Sequence, residues 1–527
     1  MEKMHKEVLA MYDIRGIQKY IFRTDKVKDA IGASAIVENI IADALREAVD
    51  NIASKWGIAA EKQKLQWCTE DEKGGKREAI FYESNMEDGI DIQVLYIGGG
   101  NALVTYSSGE LCLEINKVMA KYVLDKTYSL QLAAAMVEKT SNYNADSEKL
   151  YAEMDKVKAD MRVSKPLGAL PIMEVEVKTG YPMINREGSK ETNLKKKKEE
   201  KIRESIQTQL KIFDNYVLQK GVDSTLAVVH IDGNNMGLRI KGLIKDKKDY
   251  VSAVNEMRNI SLQISSSYKN TYEVMEKEFN NYTQNFVMKI LVAGDDITYI
   301  CNAKIAIKTV EYFCKEISKH TLNGKTDEED IKKYGFSVCA GIAYFQSHFP
   351  FNIAYEVAEQ CCDSAKARAK KEENKDIDRI GNFVDFQICK NIQTSNLEET
   401  REREYKTSRG EQLLIRPYFV NVDDVGFSKL LDESYSLDKF KIKVKYFQND
   451  KKIPKSFAKD MRNTYSLGED KIKKLWSFIS SRGFQLPAVS EKSGKSEELY
   501  FVDGKVKTAR WYDALEMIDL IEEETDK

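Results

Sequence analysis

Asp232 closes the apolar run Thr225–Asp232 (TLAVVHID), and Asp295-Asp296 sit in a tight turn between two further runs, Phe286–Ala293 and Ile297–Cys301. Carboxylates brought together repel and raise one another's pKa. A divalent cation removes that conflict, and oxygen donors suit Mg²⁺ or Mn²⁺. Two such ions about 3.5 to 4 Å apart activate a ribose 3′-OH and hold the α-phosphate and leaving pyrophosphate for in-line displacement. Asp232, Asp295 and Asp296 are therefore the candidate catalytic residues and metal ligands, with Gly233 beside them in the metal set. A lone Gly-Asp-Asp triplet is also ordinary turn chemistry. The pairing singles it out: a strand ending in Asp232-Gly233-Asn234-Asn235-Met236-Gly237, then strand–Gly294-Asp295-Asp296–strand.

Phosphate chemistry has candidates in the same loops. Gly233 and Gly237 let a backbone approach a phosphate closely, and the N-terminus of the following helix favours an anion. A plain tight turn accounts for the same glycines. Asn235 and Gly294 complete the nucleotide-binding candidates of these two loops. Lys366 and Lys370, in AKARAKK, stand four apart on one helix face and can meet a triphosphate; solvated lysines are the plainer reading.

The elements that must position these residues repeat. Val8–Asp13 reads as a strand, and Gly16 to about Val49 as helix with a break near Gly32. Ile92–Ile97 and Ala102–Tyr106 flank Gly98-Gly99-Gly100-Asn101 as a hairpin. Leu111–Leu124 is helical and Leu130–Val137 is a strand. The order is βαββαβ, a ferredoxin-like unit. It returns after residue 220: strand Thr225–Asp232, helix Lys247–Phe279, the Gly294-Asp295-Asp296 hairpin, helix Ala303–Lys319, strand Phe336–Tyr344, helix Asn352–Lys371, and a last strand Phe383–Ile388. In such a sheet the first strand lies beside the third, so its end meets the hairpin and three carboxylates converge at one rim. Two copies of one order suggest internal duplication. The first carries Asp13-Ile14-Arg15-Gly16 where the second has its DGNNMG, and its hairpin has no acids. Asp13 and Gly16 are then accessory nucleotide-binding candidates, or strand-end and turn residues.

The expected fold class is α+β, two ferredoxin-like (βαββαβ) domains with a helical connector and a helical C-terminal region. The boundaries are 1–140 for an accessory unit, 141–221 for the connector, 222–395 for the catalytic unit and 396–527 for the C-terminal region. In the connector, Asp146–Met161 is helical. The run Lys195–Lys201 reads as a solvated helix face or mobile connector sooner than a nucleic-acid patch, because acids follow at once. EETREREYKT (398–407) reads as a charged linker; Asp470–Arg482 and Trp511–Glu523 read as amphipathic helices.

Composition excludes several classes. The 527 residues are 42% apolar and 31% charged, enough for sizeable cores. Lys+Arg 82 against Asp+Glu 84 excludes a tail-driven nucleic-acid binder. No apolar run spans a bilayer, and the N-terminus lacks a signal-peptide core, so a soluble cytoplasmic protein is expected, without membrane partners. Eight cysteines without a CxxC pair point to reduced thiols, and four scattered histidines without HExxH argue against a histidine-based hydrolase.

The segments DIRGIQKYIFRTDKVKDAIGASAIVE (13–38), IGGGNALV (97–104), HIDGNNMG (230–237), VAGDDITYI (292–300) and 336–371 together resemble the paired palm domains of the large polymerase–cyclase subunit of type III CRISPR effector complexes. They are similar, more distantly, to GGDEF diguanylate cyclases. The resemblance covers most of residues 8–390. It implies two facing palms with ATP between them, and metal-dependent conversion of ATP into 3′–5′ linked cyclic oligoadenylate in antiviral defence. By the match, Asp232, Asp295 and Asp296 are metal ligands, Lys366 or Lys370 contacts phosphate, and Ser34 lies near an accessory nucleotide.

The departures are specific. Ala293 replaces the first glycine of a Gly-Gly-Asp-Asp hairpin, and Asn234 replaces the second aspartate of Asp-Gly-Asp-Asn. Glu174–Met183 stands where the family has zinc-binding cysteines. The chain begins at the first palm, without the family's nuclease domain, so a shortened, stand-alone relative is expected.

The leading expectation is a nucleotidyltransferase–cyclase acting on ATP or another NTP with two Mg²⁺ or Mn²⁺ ions. An activator or effector protein is a candidate partner; a nucleic-acid partner and the oligomeric state stay open. The alternatives are a nucleotide-binding scaffold without catalysis, and a template-directed polymerase or primase.

Overall fold

The computed structural model describes residues 6–70, 76–78, 81–83, 89–98, 100–161, 170–205, 225–245, 247–280, 286–322, 335–371, 381–391, 396–420, 433–487, 499–503 and 506–522. Gly99, the connector stretch 206–221, residues 392–395 and Glu523 lie outside the described residues. The chain divides into two compact units that do not follow chain order. The first is Met1–Lys211, Asn235–Ser266 and Ile290–Asp295; the second is Ile212–Asn234, Ser267–Lys289 and Asp296–Lys527.

In the first unit, β1 (Val8–Arg15), β2 (Ile92–Gly98), β3 (Asn101–Tyr106) and β4 (Gln131–Glu138) form an antiparallel sheet in the order β2-β3-β1-β4. That order puts the first strand beside the third, as expected of a βαββαβ chain. Between β1 and β2 run α1 (Ile17–Phe22), α2 (Val27–Val37) and α3 (Ile40–Trp56). The helix α4 (Gly109–Thr127) packs on α3, and α5 (Tyr143–Asp160) packs on β4.

Two expectations are corrected in this unit. Gly32 does not break a helix; it lies inside α2, and the chain turns instead before Val27 and after Val37. A Cβ at Gly32 would stand 2.1 Å from the Lys195 carbonyl oxygen, so the glycine serves a close approach by α6 (Lys190–Ser205). The lysine run on α6 is not all solvated. Lys195 is buried, its Nζ donating to Glu191 Oε1 at 2.8 Å and to the Tyr20 carbonyl at 2.6 Å. The buried Glu191 also accepts from Arg23 at 2.6 Å and Ser129 at 2.5 Å, so the charges are satisfied in place.

Two helices after residue 235 join this unit: α7 (Met236–Ile244), which the sequence reading had not separated, and the first part of α8 (Tyr250–Phe279). Tyr250, Ala253, Val254 and Met257 share a core with Leu9, Met11, Leu95 and Leu103. Arg258 donates to the carbonyls of Leu95 (2.7 Å) and Val94 (2.8 Å), where a register shift bulges β2 and leaves carbonyls to be satisfied.

The second sheet repeats the order and then extends it. β5 (Thr225–Gly233), β6 (Val287–Ala293), β7 (Asp296–Asn302) and β8 (Val338–Gln346) run β6-β7-β5-β8, continued by β9 (Asn382–Ile388) and β10 (Tyr418–Val420). β9 is parallel to β8, and β10 is antiparallel to β9. The helices α9 (Ala306–Ile317) and α10 (Phe351–Ala369) flank β8 in the chain.

The segment expected as a charged linker is instead α11 (Leu397–Glu404), packed against α10. Arg401 grips the buried Asp385 of β9 with two nitrogens, 2.8 Å each. Nearby, the fully buried Arg416 reaches Glu516 at 3.1 Å and Asp513 at 3.3 Å. The C-terminal region adds α12 (Leu437–Gln448), α13 (Lys455–Tyr465), α14 (Glu469–Ser481), a hairpin of Tyr500–Asp503 with Val506–Ala509, and α15 (Tyr512–Met517). α15 is shorter than expected and buried at all six positions, not amphipathic. Among the described residues no helix is long and apolar enough to cross a membrane.

Candidate functional site

The site grows from β5. Its apolar residues Leu226–Val229 and Ile231 are buried on both faces, so the strand is held along its length and its end is fixed. β5 pairs with β7 through Ile231↔Ile297, and Asp232 pairs with Cys339 of β8. One antiparallel step beyond Ile231↔Ile297 sets Asp232 opposite Asp296, the first residue of β7. Residues opposite each other across a ladder point to one face, so these two carboxylates share a rim. Asp295 precedes them on the hairpin, where Gly294 takes a left-handed φ of +64° that favours glycine.

Helix α10 brings the cation. Gly341 on β8 lets it close: a Cβ there would lie 1.9 Å from the Ala358 carbonyl oxygen and 2.3 Å from the Cys362 nitrogen. The Cys362 thiol then reaches the Cys339 carbonyl at 3.3 Å. Lys366, one turn beyond Cys362, donates from Nζ to Asp232 Oδ2. Burial works against the charged lysine, but the Asp232 contact and the charge of Asp363 outweigh it, and its pKa is raised. Lys370 is exposed and caps the C-terminal end of α10.

Four further residues of this neighbourhood escaped the sequence reading. His230 Nδ1 lies 3.1 Å from Thr298 Oγ1 and 3.5 Å from Asp296 Oδ1. Burial lowers its pKa despite Asp232 and Glu359, so the imidazole is neutral at pH 7. Tyr355 packs edge-on against it, with ring centroids 5.7 Å apart. Burial raises the pKa of Glu359, with the charges of Asp363 and Asp296 adding to it. Glu359, Asp363 and Lys366 stand at i, i+4 and i+7, a helix-face spacing readable from AEQCCDSAK.

Among the described residues, no three or more His, Cys, Asp or Glu side chains gather as a metal-binding group. The register accounts for two, Asp232 and Asp296, and Asp232 carries the Lys366 ammonium. That ammonium is a stand-in cation: it occupies a carboxylate oxygen that a hard divalent ion would take. Mg²⁺ needs only one or two carboxylates when phosphates complete its shell, so this donor set fits it.

The loop after Asp232 is held by Asn234. Its buried Nδ2 donates to Ser337 Oγ at 3.2 Å and to the Gly381 carbonyl at 3.1 Å. A carboxylate could donate neither bond, which explains asparagine at this position. Gly233 ends β5 opposite Val338, Asn235 adopts a left-handed φ of 55°, and Gly237 opens α7 with no atom within 4 Å of a Cβ. Packing therefore does not demand glycine at 237.

The first unit has a counterpart. Asp13, near the end of β1, pairs with Lys158 at 2.5 Å. Lys158 is the sixteenth residue of α5, and Lys366 is the sixteenth of α10, each helix following the fourth strand of its sheet. Gly16 holds a left-handed φ of +82°, and Ser34 sits half-buried within α2. Lys158 was missed, although Asp155-x-x-Lys158 and Asp363-x-x-Lys366 share spacing and rank.

Residues 225–387 match the family model described as Cas10/Cmr2, second palm domain. Over that segment the chain is similar to the Cas10/Cmr2 family. Solved structures similar to it include a Csm1-Csm4 cassette in complex with cA4 (14% identity, 69% of this chain, 53% of that one, TM-score 0.41). Another is the same cassette with AMPPNP (14%, 69% and 54%, TM-score 0.40), and a third is Csm1 in T. onnurineus (13%, 72% and 52%, TM-score 0.41). The chain spans about half the length of these structures. No curated protein matches it.

Proposed function

We propose that this Cas10-like relative is a metal-dependent nucleotidyltransferase–cyclase that joins NTPs, ATP first among them, into a 3′–5′ linked cyclic oligonucleotide messenger. What supports the reading is the Ile231↔Ile297 register, one residue short of both Asp232 and Asp296, together with a cation already on Asp232. Asp232 and Asp296, with Asp295 as the third candidate, would hold Mg²⁺ or Mn²⁺. When bound, the ions would offset phosphate charge and favour the ribose alkoxide. The chain's own part is orientation: neutral His230 stands against Asp296, and Lys366 supplies a positive charge for a triphosphate.

The test is incubation of the full chain with labelled ATP and Mn²⁺, with and without candidate activators, followed by chromatography. Release of pyrophosphate and a new phosphodiester product are expected, and both should vanish in the Asp295→Ala, Asp296→Ala double variant. No turnover under any condition would overturn the enzyme reading. A second reading, nucleotide binding without turnover, is favoured by one observation: among the described residues no three or more His, Cys, Asp or Glu side chains gather as a metal-binding group. Calorimetry showing ATP binding without product would support it.

A further inference from the structure

We propose that Lys366 is a resident counter-cation of Asp232 that a divalent metal ion displaces and that then turns to the triphosphate, so that metal and nucleotide bind cooperatively. The inference rests on the metal site proposed above and deepens it.

Asp232 and Asp296 each lie one residue beyond the Ile231↔Ile297 pair of neighbouring strands, and two carboxylates so placed repel. Lys366 offsets that repulsion by donating to Asp232 Oδ2. A metal ion needs the same carboxylate, so ammonium and metal compete for it. The lysine side chain is 24% exposed and Asp232 30%, so the pair opens toward solvent and exchange does not require unfolding. The backbone around it is fixed: Gly341 seats α10, and Cys362 bonds to the register partner of Asp232. What can move is the four-carbon stem of the lysine, a flexible carrier of a point charge.

Once off Asp232, the ammonium stays on a helix face with Asp363 three residues before it and has lost the anion that the metal has taken. A triphosphate restores one. Coupling of this kind is reciprocal: metal frees the lysine for phosphate, and phosphate holds the lysine away from the metal's ligand. The first unit supplies the contrast. Asp13 and Lys158 form the same pair at 2.5 Å, but its hairpin carries glycines and Asn101 in place of acids. That hairpin supplies no second carboxylate opposite Asp13, so the Asp13–Lys158 pair is neutral by itself.

The experiment uses the full chain. Without nucleotide, Lys366→Met should bind Mn²⁺ about tenfold more tightly than wild type, the size expected for removing one half-exposed charge-assisted contact. Lys158→Met should not change Mn²⁺ affinity, which separates competition at one carboxylate from a general change in charge. In the wild type, acylation of Lys366, read by peptide mass spectrometry, should rise on adding Mg²⁺ and fall when a non-hydrolysable triphosphate follows. If Mn²⁺ binds both lysine variants and wild type alike and Mg²⁺ leaves Lys366 labelling unchanged, the exchange is wrong while the metal site stands. If no chain binds Mn²⁺, the metal reading fails and the exchange with it.

Discussion

Gly341→Ala tests how the site's cation is positioned. The added Cβ would lie 1.9 Å from the Ala358 carbonyl oxygen and 2.3 Å from the Cys362 nitrogen. Both are backbone atoms, so no rotamer relieves the clash. Real Cβ contacts do not fall below 3.0 Å, so α10 or β8 must retreat by at least 1.1 Å at this point. Overpacking of that kind costs about 1 to 3 kcal/mol. For a unit of this size that lowers Tm by roughly 3 to 10 °C. Lys366 lies two turns beyond Ala358 on the same helix, so it moves with α10, and a misplacement of about 1 Å can cost about 100-fold in rate. The assay pairs a thermal melt with Lys366 labelling and product formation. Gly242→Ala is the control: it lies in α7 with no atom within 4 Å of a Cβ, and alanine is the better helix former by about 1 kcal/mol. A Gly341→Ala chain that melts with the wild type and keeps its labelling rate would refute the seating of α10 on β8.

Asn234→Asp should lower the urea midpoint at pH 7 by an amount worth about 1 to 3 kcal/mol, because two buried donors become acceptors facing Ser337 and Gly381; an unchanged midpoint would show those bonds carry nothing. Glu469 is pushed up by burial but drawn down further by Lys473 and Lys507, 2.6 Å each, to about 2. Its folded pKa lies below its ordinary 4.5, so its stabilisation is complete above 4.5 and is lost as pH falls toward 2. Glu469→Gln should flatten the stability–pH slope in that window, and an unaltered slope would count against the two-lysine clamp. Arg416→Met strands Asp513 and Glu516 without their central cation and should cost about 3 to 5 kcal/mol, read as a large drop in midpoint or loss of folded protein.

What could be read in the sequence was what local pattern encodes. Thr225–Asp232 is an apolar run stopped by Asp-Gly, and Val287–Ala293 and Asp296–Asn302 are runs split by a glycine that must turn left-handed. What could not be read depends on partners far along the chain. Gly32 looked like a breaker because its neighbour, the Lys195 carbonyl, is over 160 residues away. EETREREYKT looked like a linker because its charge density hides that Arg401 answers a buried aspartate on β9. Asn234 was visible only as a replacement for the second aspartate of Asp-Gly-Asp-Asn, and its bonds across to residues 337 and 381 could not be read there. Lys366 was visible as a lysine on a helix face; its choice over Lys370 follows only from where Gly341 and Cys362 set the helix.

The two units together show how one scaffold supports unequal sites. Each has an aspartate near the end of its first strand and a lysine at the sixteenth position of the helix after its fourth strand, with an aspartate three residues earlier. The shared rank and spacing match the internal duplication that the repeated strand order suggests. The units differ at the hairpin: Gly294-Asp295-Asp296 in one, Gly100-Asn101 in the other. An Asp–Lys pair alone is electrically neutral and has no need of a metal. Adding a carboxylate on the neighbouring strand leaves a net negative charge that the lysine cannot cancel by itself. The hairpin acid Asp296 therefore distinguishes the second site from the first, leaving there a negative charge that a further cation would offset.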